Sequence, residues 1–237
     1  MKGWINGIGW VTAAGYGAGR HSDQQPLCPG VVSVPKRKQI FTKPDLRFGR
    51  LDEFSRVGLG AIALCLRDGG AEEWDEKRQV GIVAASKYGC LQTDIAYLET
   101  MIPDNGALSS PKLFVYTLSN SFLGEAALRF GLTGNTLVLN QADETGGLAA
   151  VRYALEDLSW SEQPAIVTGI CDLAPPIELS IEGEYSGGLF MLIGREPSTD
   201  VTSYGEVELW GDEIFFAREK VDDFRALVGD CLAALPR

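Results

Sequence analysis

The sequence predicts an α/β fold in which helices cover both faces of a mixed, mostly parallel sheet. Short apolar runs of strand type alternate with longer segments in which apolar residues recur at helical spacing. Such alternation is typical of sheets that are buried on both faces. The chain has 237 residues, of which 45% are hydrophobic and 22% charged, and we expect a single domain over 1–237.

The first part of the chain opens with a strand that ends in a glycine-rich turn. Gly7 and Gly9 do not continue into a dinucleotide-binding motif, because the third glycine is misplaced. We interpret them as positions where another backbone approaches the strand. The elements predicted next are a helix over 51–70, a strand over 79–85, a helix over 91–102, an extended LFVY piece at 113–116 and a helix over 117–130 that ends at Gly131.

The stretch 136–158 is predicted to be a buried strand, a sharp turn and a helix. The turn consists of Asp143, Glu144, Thr145, Gly146 and Gly147. Strand-to-helix turns of this shape carry the nucleophile in many enzymes, but no cysteine or serine stands at 143–145. The elements predicted after it are strands over 164–172 and 187–195, an edge strand over 205–210 and a closing helix over 221–235.

Charge and cysteine usage exclude several function classes. The net charge of −11 argues against nucleic acid and against anionic membrane surfaces. The five cysteines have no paired spacing, which favours reduced thiols, and no apolar run is long enough for a membrane span. We therefore expect a cytoplasmic protein without cofactor or metal site.

Positive charge is concentrated before the first predicted helix. This cluster is interpreted as a solvated loop, as a landing site for an acidic surface, or as an excursion over a partner subunit. Its members are Lys36, Arg37, Lys38, Lys43, Arg47 and Arg50.

Five segments of the sequence, taken in their order along the chain, can be compared with known families. They are INGIGWVTAAG at 5–15, RLDEFSRVGLGAIALCLRDGG at 50–70, the stretch 110–139 with Asn120, Gly124, Gly131 and Gly134, the turn at 143–147, and GGLFMLIGRE at 187–196. Over residues 2–210 the chain resembles the amino-terminal half of the β-ketoacyl-acyl-carrier-protein synthases. The resemblance implies a thiolase-like half-fold, with 211–237 as a closing helix.

The turn departs from that family in its key residue. In a condensing synthase it presents a cysteine at a helix amino terminus, where the helix dipole lowers the pKa of the thiol. Alignment on the two glycines puts Glu144 at this position, or Asp143 if shifted by one, and neither carboxylate is a competent acyl acceptor. The ETGGLAA string also resembles the turn of the chain-length factors, the non-condensing partners of type II polyketide ketosynthases, which usually carry glutamine here.

The second departure concerns the other catalytic groups. In the family, two histidines and a lysine of the carboxy-terminal half carry out decarboxylative condensation, and we expect this chain to lack that half. Its one histidine, His21, lies in a different region. We expect neither condensation nor decarboxylation from the isolated chain. The acids at 143 and 144 are then helix-capping residues, or groups that mimic a charged intermediate or signal to a partner's site.

The resemblance also implies interface and tunnel residues. It places Leu113 where chain-length factors project a side chain across the dimer interface into the partner's acyl tunnel, with ordinary interface packing as the alternative. The segment 135–141 is the candidate dimer strand. The face left by the missing half must be covered either by the closing helix together with the segment 175–185 or by a partner. The tunnel or interface candidates are Leu113, Phe114, Tyr116, Asn120, Leu137 and Leu139.

Together these observations predict a catalytically silent, shortened synthase homologue. It would act as the chain-length-factor-like partner of an active ketosynthase in fatty acid or polyketide assembly, including that of polyenes. The pair would be a heterodimer or a homodimer, with acyl carrier protein as a further candidate partner. Two alternatives stay open: an acyltransferase or thioester hydrolase with Glu144 as base, and a homodimeric protein that binds acyl groups or acyl carrier protein.

Overall fold

The computed structural model describes residues 1–22, 26–43, 45–103, 105–140, 147–176 and 185–234. Within these ranges, nine strands form one sheet. The strands are β1 (Lys2–Thr12), β2 (Gly15–Ala18), β3 (Val80–Ser86), β4 (Thr136–Asn140), β5 (Ala165–Asp172), β6 (Gly187–Gly194), β7 (Gly205–Trp210), β8 (Glu213–Phe216) and β9 (Glu219–Val221). The helices are α1 (Arg37–Ile40), α2 (Glu53–Asp68), α3 (Leu91–Met101), α4 (Pro111–Phe114), α5 (Ser121–Phe130), α6 (Leu148–Trp160) and α7 (Phe224–Ala234).

The sheet is mixed, as the sequence predicts, but its strands are not mostly parallel. The order is β4-β3-β5-β6-β1-β7-β8-β9, with β2 also paired to β1. Only the pairings of β3 with β4 and with β5 are parallel among those described. Two-residue links join β7 to β8 and β8 to β9, and links this short can connect only antiparallel strands. These two hairpins, together with the antiparallel pairings of β1 and β6, make the sheet mostly antiparallel, which the alternation of strands and helices in the sequence did not predict.

Helices cover both faces of the sheet. Neighbouring residues of one strand point to opposite faces, and Val11 and Trp10 of β1 accordingly enter two separate hydrophobic cores. The first core holds the buried sides of α2 and α5, and the second holds those of α6 and α7. The layered α/β architecture expected from the sequence is thus confirmed.

Helix α2 packs directly on β1 because glycines leave room for its backbone. A Cβ atom on Gly7 would lie 2.6 Å from the Cys65 carbonyl oxygen, and one on Gly9 would lie 2.6 Å from the Ala61 carbonyl oxygen. No side chain fits in such gaps. The predicted close approach of another backbone at these glycines is confirmed.

Helix α7 covers the face on which α6 lies. Phe224, Leu227, Val228 and Cys231 are fully buried in the core that they share with α6. The closing helix predicted over 221–235 therefore does cover a face of the sheet, although it begins only at Phe224. Most of the segment 175–185 lies outside the described residues.

Two local predictions were wrong. The LFVY piece expected to be extended instead contributes to α4, because Ser110 caps that helix by accepting a hydrogen bond from the Leu113 amide (3.3 Å) and Pro111 occupies its first turn. Strand β7, expected at the edge, lies between β1 and β8. In contrast, Gly131 ends α5 in the left-handed region (φ 63°), as its position predicts.

No helix in the described ranges is long and apolar enough to cross a lipid bilayer.

Candidate functional site

The predicted strand and helix are present on the two sides of the turn, but the strand is half-exposed and not buried as predicted. Strand β4 ends at Asn140, and α6 begins at Leu148 after Gly147, which has a φ of 102°. A side chain at Gly147 would collide with Ile170 of β5, so this glycine brings the start of α6 against the sheet. Asp143, Glu144, Thr145 and Gly146 lie outside the described residues, and their roles stay predictions.

A half-buried carboxylate, that of Asp172, lies at the end of β5. Asp172 accepts hydrogen bonds from the Ser86 hydroxyl (2.8 Å) and from the backbone amides of Lys87 (3.0 Å) and Tyr88 (2.8 Å). Burial raises the pKa of Asp172, and these hydrogen bonds oppose that shift. The carboxylate therefore fastens the loop after β3 to β5. Asp172 was not among the predicted site residues, although an acid at the carboxyl end of a strand was the available signal.

Strand β4 forms one edge of the sheet. It pairs with β3 on one side and with no other described strand on the other. Val138 packs against the core under α2 and α5, whereas Leu137 and Leu139 pack against the core under α6. All three are only half-buried. Of the segment 135–141, predicted as a dimer strand, residues 136–140 thus present a partly exposed apolar edge to which no second described strand pairs, and Gln141 lies outside the described residues.

A groove of about 390 Å³ runs beside this edge. We call it the edge groove; it is lined by residues 86–89, residues 118–120 and most of β4. Asn120 and Leu137, two of the predicted interface residues, both line it. The structure thereby brings together candidates that are distant in sequence.

An exposed apolar surface adjoins the edge groove. The side chains of Phe114, Val115 and Leu118 are 60%, 59% and 63% exposed, and Leu118 also lines the groove. Ile102 and Leu108, in the preceding segment, are 71% and 72% exposed. Exposed apolar residues concentrated in one region of the chain indicate a surface that another protein covers.

A second groove, of about 340 Å³, lies among α2, α3 and α4. We call it the helix groove. Leu113 and Tyr116 line this groove and not the edge groove. Burial raises the pKa of the Tyr116 hydroxyl. The six predicted tunnel or interface residues are therefore divided: two line the helix groove, two line the edge groove, Phe114 lies on the exposed surface, and Leu139 is half-buried against the core under α6.

The basic cluster is only partly neutralised. Arg47 pairs with Glu125 at 2.9 Å, and Lys43 pairs with Glu73. Among the described residues, no carboxylate lies within 4.0 Å of the charged groups of Lys36, Lys38 or Arg50, and all three residues are exposed. This arrangement leaves free positive charge on the surface of an acidic protein.

The four buried thiols are poorly suited to act as nucleophiles. All five cysteines are free, and four of them are buried. Burial raises the pKa of Cys65, Cys171 and Cys231 well above the ordinary thiol value and also raises that of Cys90. A thiol with a raised pKa is a poor acyl acceptor at neutral pH. In the described part of the chain, no group of three or more His, Cys, Asp or Glu side chains could hold a metal ion.

Neither a protein-family model nor a curated protein sequence matches the chain. Solved structures do match. The structure titled "The ishigamide ketosynthase/chain length factor" is similar with a TM-score of 0.68 at 14% identity, over 87% of this chain and 62% of that one. A β-ketoacyl synthase from Burkholderia phymatum STM815 has a TM-score of 0.62 at 16% identity, over 87% of this chain and 62% of that one. This chain has the ketosynthase fold.

The ketosynthase fold confirms the thiolase-like architecture that the sequence resemblance implies. A third structure, described as a type II PKS acyl-carrier protein in complex with its ketosynthase, matches with a TM-score of 0.62 at 14% identity, over 87% of this chain and 67% of that one. The chain spans 62% of the length of each of the first two matching chains. Their similarity to this chain concerns the fold alone.

Proposed function

We propose that this chain is a catalytically silent ketosynthase homologue that pairs with an active ketosynthase, as a chain-length-factor-like subunit, in fatty acid or polyketide assembly, including that of polyenes. The observation that supports this most is the open edge of β4 beside an exposed apolar surface, in a chain with the ketosynthase fold. An unpaired strand edge is a template for another chain, and apolar neighbours add burial when a partner docks.

The solved structures that match this chain support an active ketosynthase or an acyl carrier protein as its partner. One of them is, by its title, a ketosynthase/chain length factor, and another contains an acyl-carrier protein in complex with its ketosynthase. The active ketosynthase is accordingly the first candidate partner, and acyl carrier protein the second. A homodimer formed through the same strand edge is the alternative assembly. A cytoplasmic location remains a prediction.

Catalytic silence is supported by the poor reactivity of the candidate nucleophiles in this chain. Positions 143 and 144 carry carboxylates, and the raised pKa values of the four buried cysteines keep those thiols protonated. The one histidine, His21, is exposed in a short turn after β2. A carboxylate attacks a thioester poorly, and the anhydride formed would hydrolyse more readily than the thioester.

Pairing is tested by co-expressing the tagged chain with ketosynthases encoded beside it and measuring co-purification. Leu118→Asp should weaken the association at least about tenfold, because it puts a charge into a buried interface. Leu128→Asp is the matched control, since Leu128 on α5 is 66% exposed and Leu118 is 63% exposed. Failure to co-purify with any neighbouring ketosynthase, or equal effects of the two substitutions, would count against the proposal.

Silence is tested by incubating the purified chain with malonyl- and acyl-loaded carrier protein and analysing the products by mass spectrometry. We expect no β-ketoacyl product from the chain alone. Formation of that product would contradict silence. Thioester hydrolysis that Glu144→Gln abolishes would instead favour the enzyme that uses Glu144 as base.

The free cationic side chains of the basic cluster favour a second candidate function, a homodimer that binds acyl carrier protein. Exposed lysines and arginines without acidic partners attract an acidic protein over long range even when the chain as a whole is acidic. Lys36→Glu with Lys38→Glu should then abolish salt-sensitive binding of carrier protein, whereas Lys77→Glu, at another exposed lysine, should not. Light scattering that reports a monomer would contradict this candidate.

A further inference from the structure

The turn that follows β3 is held by one side chain of another strand. Asp172 of β5 accepts hydrogen bonds from the backbone amides of Lys87 (3.0 Å) and Tyr88 (2.8 Å). The hydroxyl of Ser86, which lies 2.8 Å from the same carboxylate, accepts the amide of Gly89 (2.8 Å). Three consecutive backbone amides are thus held by Asp172, either directly or through one hydroxyl. An ionised carboxylate only accepts hydrogen bonds, so it suits donors that converge in this way.

Residues 86–89, which we call the β3 turn, line the edge groove together with residues 118–120. The two segments are in contact at Gly89, where an added Cβ atom would collide with a side chain of the second segment. Ser86 also pairs with Asn140 at the end of β4, so the β3 turn starts beside the open strand edge. A shift of the β3 turn would therefore change the edge groove and the end of that edge together.

Asp172 does not itself line the edge groove. It lines a separate cavity of about 20 Å³, together with Thr12 and Arg225 among others. A cavity of this volume has room for about one water molecule, so it is too small for an organic ligand. Asp172 can therefore influence a partner in the edge groove only through the β3 turn.

We propose that Asp172 is a positioning residue for partner binding: its carboxylate holds the β3 turn in the conformation that an active ketosynthase contacts at the edge groove. This inference rests on the proposed pairing and adds to it a residue that lies outside the groove. If the hydrogen bonds of the carboxylate are weakened, the β3 turn is released, and a partner that must order it again binds less tightly. Asparagine at position 172 has this effect with nearly the same shape, because its amide has only one acceptor oxygen and turns N–H donors toward the backbone N–H groups.

Hydrogen exchange of the purified chain, without a partner, tests the effect on the turn. In Asp172→Asn the amides of the β3 turn should exchange at least about tenfold faster than in the parent chain, because the loss of charge-assisted hydrogen bonds lowers their protection. Asp45→Asn is the matched control. Asp45 is also half-buried and accepts two backbone amides, those of Arg47 and Phe48 at 2.9 Å each, but it does not line the edge groove. This control should leave the exchange of the β3 turn unchanged.

The effect on pairing is measured with the ketosynthase that co-purifies with the parent chain. Asp172→Asn should weaken this association by about tenfold or more, whereas Asp45→Asn should change it by less than about twofold. The inference is overturned if the β3 turn exchanges as in the parent, if exchange rises equally throughout β6 and so reports a general loss of stability, or if the two variants bind the ketosynthase equally well. If no ketosynthase binds the parent chain, the pairing proposal fails and this inference fails with it. If the parent chain and Asp172→Asn bind equally tightly, only this inference fails.

Discussion

Two buried threonines of this chain differ in whether their hydroxyl groups are paired, and this difference predicts opposite effects of the same substitution. Thr168 on β5 is fully buried, and its hydroxyl has no hydrogen-bond partner. Thr93 on α3 is 7% exposed, and its hydroxyl donates to Asp52 at 2.6 Å. Valine has nearly the same shape as threonine, so Thr→Val removes the hydroxyl from either site without opening a large cavity.

The expected magnitudes follow from the two environments. Burying a hydroxyl without a partner costs about 1–3 kcal/mol, so Thr168→Val should raise the free energy of unfolding by about 1 kcal/mol. In a chain of this size that gain corresponds to a rise of about 2–4 °C in the thermal midpoint. Thr93→Val loses a hydrogen bond to a charged acceptor and should lower the free energy of unfolding by about 1.5–3 kcal/mol.

The assay is urea unfolding of the two variants and the parent chain, followed by far-ultraviolet circular dichroism. The slopes of the transitions should agree, so that a shift in midpoint reports stability alone. The reasoning is refuted if Thr168→Val destabilises the chain, or if both substitutions shift the midpoint in the same direction.

Three further predictions concern the helix, hairpin and carboxylate described above. Gly124→Ala should raise the free energy of unfolding by about 0.5–1 kcal/mol, because alanine favours a helix more than glycine does and its methyl group would meet no atom within 4 Å on the exposed side of α5. An unchanged or lower thermal midpoint would contradict this prediction. Ala217→Asn with Arg218→Gly should raise the free energy of unfolding in urea by about 1 kcal/mol, because these two residues of the β8–β9 turn have positive φ angles of 50° and 70°. A lower free energy of unfolding would show that the turn is not strained. Because burial raises the pKa of Asp172, there is a pH interval above the ordinary carboxyl value in which the folded chain holds a proton that the unfolded chain has lost, and the parent loses stability as the pH rises through that interval. Asp172→Asn should therefore gain stability relative to the parent over that range in urea unfolding, and a difference independent of pH would contradict the shift.

Local features of the sequence were sufficient to predict the close contact between a neighbouring backbone and β1. The glycines at 7 and 9 stand two residues apart, so both point to one face of a strand, and the absence of their side chains predicts a close backbone. Likewise Gly131 follows an apolar helical repeat and ends α5 in the left-handed conformation that glycine favours. These predictions succeeded because each depends only on residues that are near one another in the chain.

The wrong predictions came from signals that compete or are distant. Apolar, β-branched and aromatic residues at 113–116 favour a strand, but the capping hydroxyl of Ser110 and the ring of Pro111 favour a helical turn, and the helical turn is the one that forms. The edge position predicted for β7 was wrong because the Gly211–Asp212 turn joins β7 to β8, and this glycine-first hairpin signal was not used in the prediction. The next turn, Ala217–Arg218, lacks the asparagine and glycine that usually mark a hairpin, so β9 had no such signal.

For the candidate site, the sequence by itself determined the strand-turn-helix unit around 143–147 and the chemical character of its tip, because spacing and residue type are local properties. Only the tertiary structure decided that β4 is an open edge, that Asn120 and Leu137 share the edge groove, and that Leu113 lies in a different groove beside Arg56. Which strands become neighbours, and which side chains then meet, depends on contacts between residues far apart in the chain. No periodicity or motif in the sequence predicts those contacts.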